Sequence, residues 1–199
     1  MRSGKCWGRS EWCIVSGEWS YAERAAGMRV RAGFLLAAVY LIWAQPTAGR
    51  LLAGGAVALA GLLLRAWSAG CLEKERQLAT NGPYAHTRNP LYLGSAVAAL
   101  GFAIAGGRWW FFVLLGFFLG AVYWPVIRYE QARLEKLFPE EFPAYARAVP
   151  AFWPRLRPWR RDTAAGGFLW ERYQRNREHR ALLGSLVIVL CLLARMYLI

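Results

Sequence analysis

Two phenols, a guanidinium and an amide fall close together at Tyr84, Arg88, Asn89 and Tyr92, inside the polar stretch Asn81–Gly94. Pro83 and Pro90 fix φ, push the residues before them into extended backbone and predict no helix between them. Gly82 and Gly94 permit a tight turn and a close backbone approach. A plain linker needs none of this, so the loop is predicted to be a rigid ligand cradle. A second chemical centre lies downstream, in Arg128-Tyr129-Glu130-Gln131-Ala132-Arg133-Leu134-Glu135-Lys136-Leu137-Phe138. Helical spacing puts Glu130, Leu134, Leu137 and Phe138 on one stripe with Arg133 beside it, and Glu135 and Lys136 opposite. Pro139 is expected to stop this helix. Phe142, Tyr145, Val149-Pro150 and Phe152-Trp153-Pro154 would then form an aromatic, proline-rich cover. Glu130 follows an uncharged apolar run, where a carboxylate is costly without a partner or a ligand. A salt bridge to Arg88, Arg128 or Arg133 is the plainer alternative.

The elements that must position these groups are membrane-length. Of 199 residues, 57% are hydrophobic and 15% aromatic, too many in unbroken runs for a soluble domain of this size. About 20 apolar residues cross a bilayer. Five candidate spans follow: Arg31–Ala44, Leu51–Cys71, Leu91–Gly106, Trp109–Ile127 and Ala181–Ile199. Tight turns at Pro46–Arg50 and Gly106–Arg108 would make hairpins of the first and third pairs of neighbours. The fold class is therefore an all-α polytopic membrane bundle of about five transmembrane helices with a cytoplasmic cofactor pocket.

Charge sorts by side. Arg24, Arg29 and Arg31 precede the first span, Lys74, Arg76 and Arg88 lie between the second and third, and residues 128–180 hold twelve basic side chains. Arg50 and Arg108 stand alone in the other two loops. The positive-inside rule then puts the N-terminus and the 73–90 and 128–180 segments on the cytoplasmic face. The formal net charge of +13 is thereby accounted for by topology and anionic headgroups, and nucleic acid is not the expected partner. Cys6, Cys13, Cys71 and Cys191 have no metal-type spacing, so neither a disulfide framework nor a zinc site is predicted and no metal is expected. Residues 1–27 are polar with no regular period. They are expected to be a disordered tail or an upstream mis-start, with Met28 the true beginning of a 28–199 domain; intact mass of the native protein distinguishes these.

Together the two centres resemble the integral-membrane methyltransferases that include isoprenylcysteine carboxyl methyltransferase and the phospholipid N-methyltransferases. That family's loop, G-x-Y-x-x-x-R-H-P-x-Y, is matched by Gly82 through Tyr92. Its E-E-x-x-L-x-x-x-F-G-x-x-Y-x-x-Y segment and closing V-P are matched by Glu130 through Tyr145 and by Val149-Pro150. The resemblance covers about residues 60–155. It implies S-adenosylmethionine as cofactor, bound by Arg76, Gln77, Leu78, Ala79, Tyr84, Asn89, Pro90, Leu91, Tyr92 and Glu130. Catalysis is expected of Arg88, Asn89 and Glu130, and contact with a lipid-like or prenylated acceptor of Arg128, Arg133 and Tyr145. Such a cofactor wants a carboxylate for its ammonium, aromatic faces for its cations and amides for its carboxylate. Methyl transfer is an in-line displacement served by alignment and exclusion of water. Three positions depart from the pattern: Asn89 replaces a histidine, Gln131 a glutamate and Pro139 a glycine. Asn89 cannot shuttle a proton near neutral pH as histidine does. Val126 stands where carboxyl-methylating members carry a substrate-holding arginine, so fold and cofactor carry over better than the prenylcysteine substrate.

Other readings stay open at the level of sequence. An NADPH-dependent sterol-type reductase shares this helical architecture, and a non-catalytic membrane protein would tolerate Asn89 and Gln131. Arg65 is expected either to face the pocket or to snorkel to the headgroups. His86 and His179 are expected at the surface, and Trp109-Trp110 in an interfacial belt. Phe168–Arg180 has the make-up of an interfacial amphipathic helix; its Tyr173, Asn176, Arg177 and Glu178 offer the alternative of closing the site.

Overall fold

The structure, a computed structural model, describes residues 33–73, 77–159 and 167–198. The 1–27 tail, the Met28 start and Arg76 lie outside those residues. The described residues are helical with no strand. The long elements are α1 (Gly33–Trp43), α2 (Ala48–Cys71), α3 (Pro90–Gly106) and α4 (Trp110–Leu137). After them come the short α5 (Phe142–Ala148) and α6 (Trp170–Arg175), then α7 (His179–Leu198). Helices α2, α4 and α7 are long and apolar enough to cross a membrane, while α1 and α3 are shorter apolar helices. This is the all-α membrane bundle that the hydrophobic runs predict.

α2 and α3 pack as a close pair because both present small residues along the seam. Gly54, Ala58 and Gly61 face Gly94, Ala98, Gly101 and Ala105, and a Cβ at Gly61 or Gly101 would collide with backbone of the opposite helix. Without a hydrophobic drive between helices in lipid, close backbone approach is what such a pair gains. Hairpin turns finish the frame. Gly107 takes φ 69° to end α3, and Gly106 C=O accepts from Gln45 N–H at 2.9 Å, which ties the α1–α2 turn to the α3–α4 turn. At the same end a small core of Ala44, Ala103, Ala105, Phe111 and Leu192 draws in α7, and Arg195 donates to Leu41 C=O at 2.9 Å.

α4 runs without a break from its uncharged half into the acid-bearing half. The apolar span and the charged helix predicted after it are thus one 28-residue element. A π-helical turn at Leu119–Tyr123 interrupts it, just ahead of Pro125, whose ring displaces the carbonyl four residues back and which has no N–H to give. The helix ends at Leu137, with Phe138 driven out of helical dihedrals (φ −129°, ψ 61°) ahead of Pro139, as predicted.

Candidate functional site

The cradle loop folds around one departure from expectation. Gly82–Ala85 forms a single 3-10 turn, entered at Gly82 with φ 54° and with Pro83 in its first turn, the position where proline's missing N–H costs nothing. Pro90 likewise opens α3. Proline at a helix start is compatible with a turn, so the loop is tighter than an extended hairpin.

The aromatic cover is strapped to this loop by main-chain bonds. Arg88 N–H donates to Pro150 C=O at 2.9 Å, Arg155 N–H to His86 C=O at 2.9 Å and Trp159 N–H to Ala85 C=O at 2.9 Å. Thr87 Oγ1 donates to Phe152 C=O at 3.0 Å, and Asn89 Nδ2 to Ala151 C=O at 2.7 Å. His86 Nδ1 donates to Arg155 C=O at 2.8 Å; its role is to pin strap to loop. Tyr145, fully buried on α5, donates to Tyr84 C=O at 2.8 Å.

Between loop, α4 and α5 lies an open cleft of about 210 Å³. Its walls carry Gln77, Leu78, Ala79, Tyr84, Arg88, Asn89, Pro90, Leu91, Tyr92, Glu130, Arg133 and Tyr145, so nearly every residue singled out from the sequence meets here. Arg128 does not line it and is exposed on α4. Four lining residues were missed: Leu72, Glu73, Leu134 and Leu137. The stripe pattern on α4 already held the two leucines; Glu73 carried no motif signal.

The cleft's two halves meet in a hydrogen bond. Tyr92 OH, on α3, donates to Glu130 Oε1, on α4, at 2.8 Å. Tyr123 meets the Tyr92 ring edge to face at 5.1 Å, and Val126 and Ile127 complete that packing. The salt bridge weighed for Glu130 is thus replaced by a neutral phenol, which leaves the carboxylate's charge available to a cation. Arg88 stands 5.8 Å from the Phe142 ring centroid, and its Nε is buried with no hydrogen-bond partner. A buried donor left so is costly, and an anionic ligand group would relieve it. Burial lowers the Arg88 guanidinium from its ordinary range, with Tyr145 opposing. Burial also pushes both phenols up, Tyr84 well above its ordinary value and Tyr145 against the pull of Arg88. Both phenols therefore stay neutral at physiological pH.

Arg65 does not line the cleft. It pairs with Glu178 at 2.8 Å and bonds Ser95. His179 is exposed at the start of α7, and Trp109 is exposed beside a partly buried Trp110.

The sequence model of the phospholipid methyltransferase family matches residues 55–141, the stretch that carries both halves of the cleft. The match covers less than half of the chain. Among similar curated proteins, the nickel-cobalt-cadmium resistance protein NccN of Alcaligenes xylosoxydans xylosoxydans is 37% identical over 90 residues, 45% of this chain and 42% of that protein. The cobalt-zinc-cadmium resistance protein CzcN of Cupriavidus metallidurans is also 37% identical over 90 residues, 45% of this chain and 41% of its own length. The chain thus matches about two fifths of each relative's length. No solved structure matches. Among the described residues no three His, Cys, Asp or Glu side chains gather as a metal site.

Proposed function

We propose that this protein transfers a methyl group from S-adenosylmethionine to a lipid-like or prenylated acceptor, at a cleft on the cytoplasmic side of the membrane. The observation that carries the reading is the Tyr92–Glu130 bond, which joins two motifs separated by a membrane hairpin across one cleft. The residues fit the donor. Glu130 would take its ammonium, Tyr84 and Tyr92 would offer ring faces to its sulfonium, and Arg88 Nε, a buried donor without a partner, would take its carboxylate. When bound, the cofactor supplies an electrophilic methyl group whose departure neutralises the sulfonium. The chain's own part is to hold the donor in line, to exclude water and to admit the acceptor laterally between helices. Asn89 anchors the strap through Ala151, which keeps the cleft wall in place. No buried base is supplied by Tyr84 or Tyr145, which suits an acceptor that already presents a lone pair, such as a carboxylate.

Titration calorimetry of the detergent-solubilised protein with S-adenosylmethionine, S-adenosylhomocysteine and NADPH tests this. Binding of the two adenosyl compounds, abolished in Glu130→Ala and Tyr92→Ala, is the expected result. Selective binding of NADPH would instead favour a reductase, and no binding of any of the three would favour a non-catalytic protein.

A further inference from the structure

The segment 167–178 lies beyond the family-matched residues, yet it grips the end of α2 at the cleft's edge. Leu169 N–H donates to Gly70 C=O at 3.0 Å, and the Phe168 ring covers Gly70 so closely that a Cβ there would collide with it. Asn176 Nδ2 donates to Ala69 C=O at 2.9 Å and to Leu72 C=O at 3.1 Å. Glu178 closes the grip through Arg65. One contact goes further and reaches a cleft-lining side chain: Arg172 Nη2 donates to Glu73 Oε2 at 2.7 Å. Gln77 Nε2 bonds the same oxygen at 3.3 Å, and both Glu73 and Gln77 line the cleft.

The cleft therefore contains two carboxylates in different electrostatic states. Glu130 is bonded to a neutral phenol and keeps its pull on a cation. Glu73 is largely neutralised by Arg172, and a neutralised carboxylate attracts a cation weakly while keeping its acceptor lone pairs. That chemistry suits paired hydroxyl donors. A carboxylate accepting from ribose hydroxyls also disfavours a phosphorylated ribose, by charge. We infer that Glu73 is a further ligand-contacting residue that accepts from the ribose hydroxyls of the adenosyl cofactor, and that Arg172 is the residue that positions it. The inference rests on the proposed cofactor and names the part of the site that recognises its sugar.

The test compares S-adenosylhomocysteine with its 2′-deoxy analogue by calorimetry on the full chain, with thermal midpoints recorded for every variant. The wild type is expected to bind the deoxy analogue about tenfold more weakly, the scale of one lost hydrogen bond to a charged group. Glu73→Gln should bind the ribo compound about tenfold more weakly and discriminate less between the two. Arg172→Ala should weaken the ribo compound similarly, with Arg172→Lys partly restoring it. Asn176→Ala, which removes two bonds to the α2 end without touching the Glu73 side chain, should lower the thermal midpoint and weaken affinity far less than Arg172→Ala. Equal wild-type affinity for the two compounds, or full discrimination retained in Glu73→Gln, would overturn the role of Glu73. Parallel loss of affinity in Arg172→Ala and Asn176→Ala would reduce Arg172 to a structural clasp. Failure of the wild type to bind S-adenosylhomocysteine at all would instead remove the cofactor reading itself.

Discussion

Single side chains decide whether the cleft holds a ligand. Tyr92→Phe keeps the ring that packs on Tyr123 and removes only the bond to Glu130. It should cost about 1.5–3 kcal/mol of stability, the range for a hydrogen bond to a charged group, visible as a lowered thermal midpoint, together with weaker S-adenosylhomocysteine binding. Tyr145 makes a different prediction, through pH. Its folded-state pKa is raised above the ordinary 10.0 by burial. Above pH 10 the unfolded chain therefore loses this proton first, the native state binds more protons, and stability falls as pH rises. Tyr145→Phe should lower stability by about 1 kcal/mol at neutral pH, through loss of the bond to Tyr84, and flatten the alkaline decline. Thermal midpoints of the two proteins from pH 7 to 11 check this. A parallel decline in both would place the alkaline loss elsewhere.

At the scale of elements, the α2–α3 seam sets the depth at which the loop emerges. Gly61→Leu should destabilise by roughly 1–3 kcal/mol or more through overpacking. Gly55→Leu, six residues away on the same helix and facing open space, should be neutral or slightly stabilising, since leucine favours helix over glycine. Thermal midpoints of the solubilised variants separate the two. The sequence announced these helices well, because long apolar runs bounded by Pro46, Gly107 and Pro139 leave few alternatives. It announced the α4 stripe equally well, since Glu130, Arg133, Leu134 and Leu137 lie on one face by periodicity alone. What it could not show was partner choice across space. Arg65 with Glu178 and Arg172 with Glu73 join residues about a hundred positions apart, and no local spacing encodes that. Nor did the end of the uncharged run at Ile127 reveal that α4 continues past it, because helix geometry is indifferent to the passage from lipid to water.

For the molecule as a whole, the distribution of arginine and lysine makes a topological prediction. In a background freed of native cysteines, Glu140→Cys on the cleft side should react with a membrane-impermeant thiol reagent only in inside-out vesicles. Gly49→Cys, in the opposite turn, should react only in right-side-out ones. Labelling of both from one side would contradict the proposed orientation. The site was legible as two motifs; their meeting depended on α3 and α4 returning the chain to its starting face, which the count of hydrophobic runs predicted.

The modest length of α3 has a consequence for the surrounding lipid. Its 17 residues rise about 25 Å, against a hydrocarbon thickness of about 30 Å. If it crosses the bilayer locked to α2 by glycine contacts, it has little freedom to compensate by moving alone, and local thinning of the bilayer is one way to accommodate it. In the proposed reaction, such thinning would bring the mouth of the cleft nearer the acyl chains and let an oily acceptor present its reactive end without leaving the leaflet.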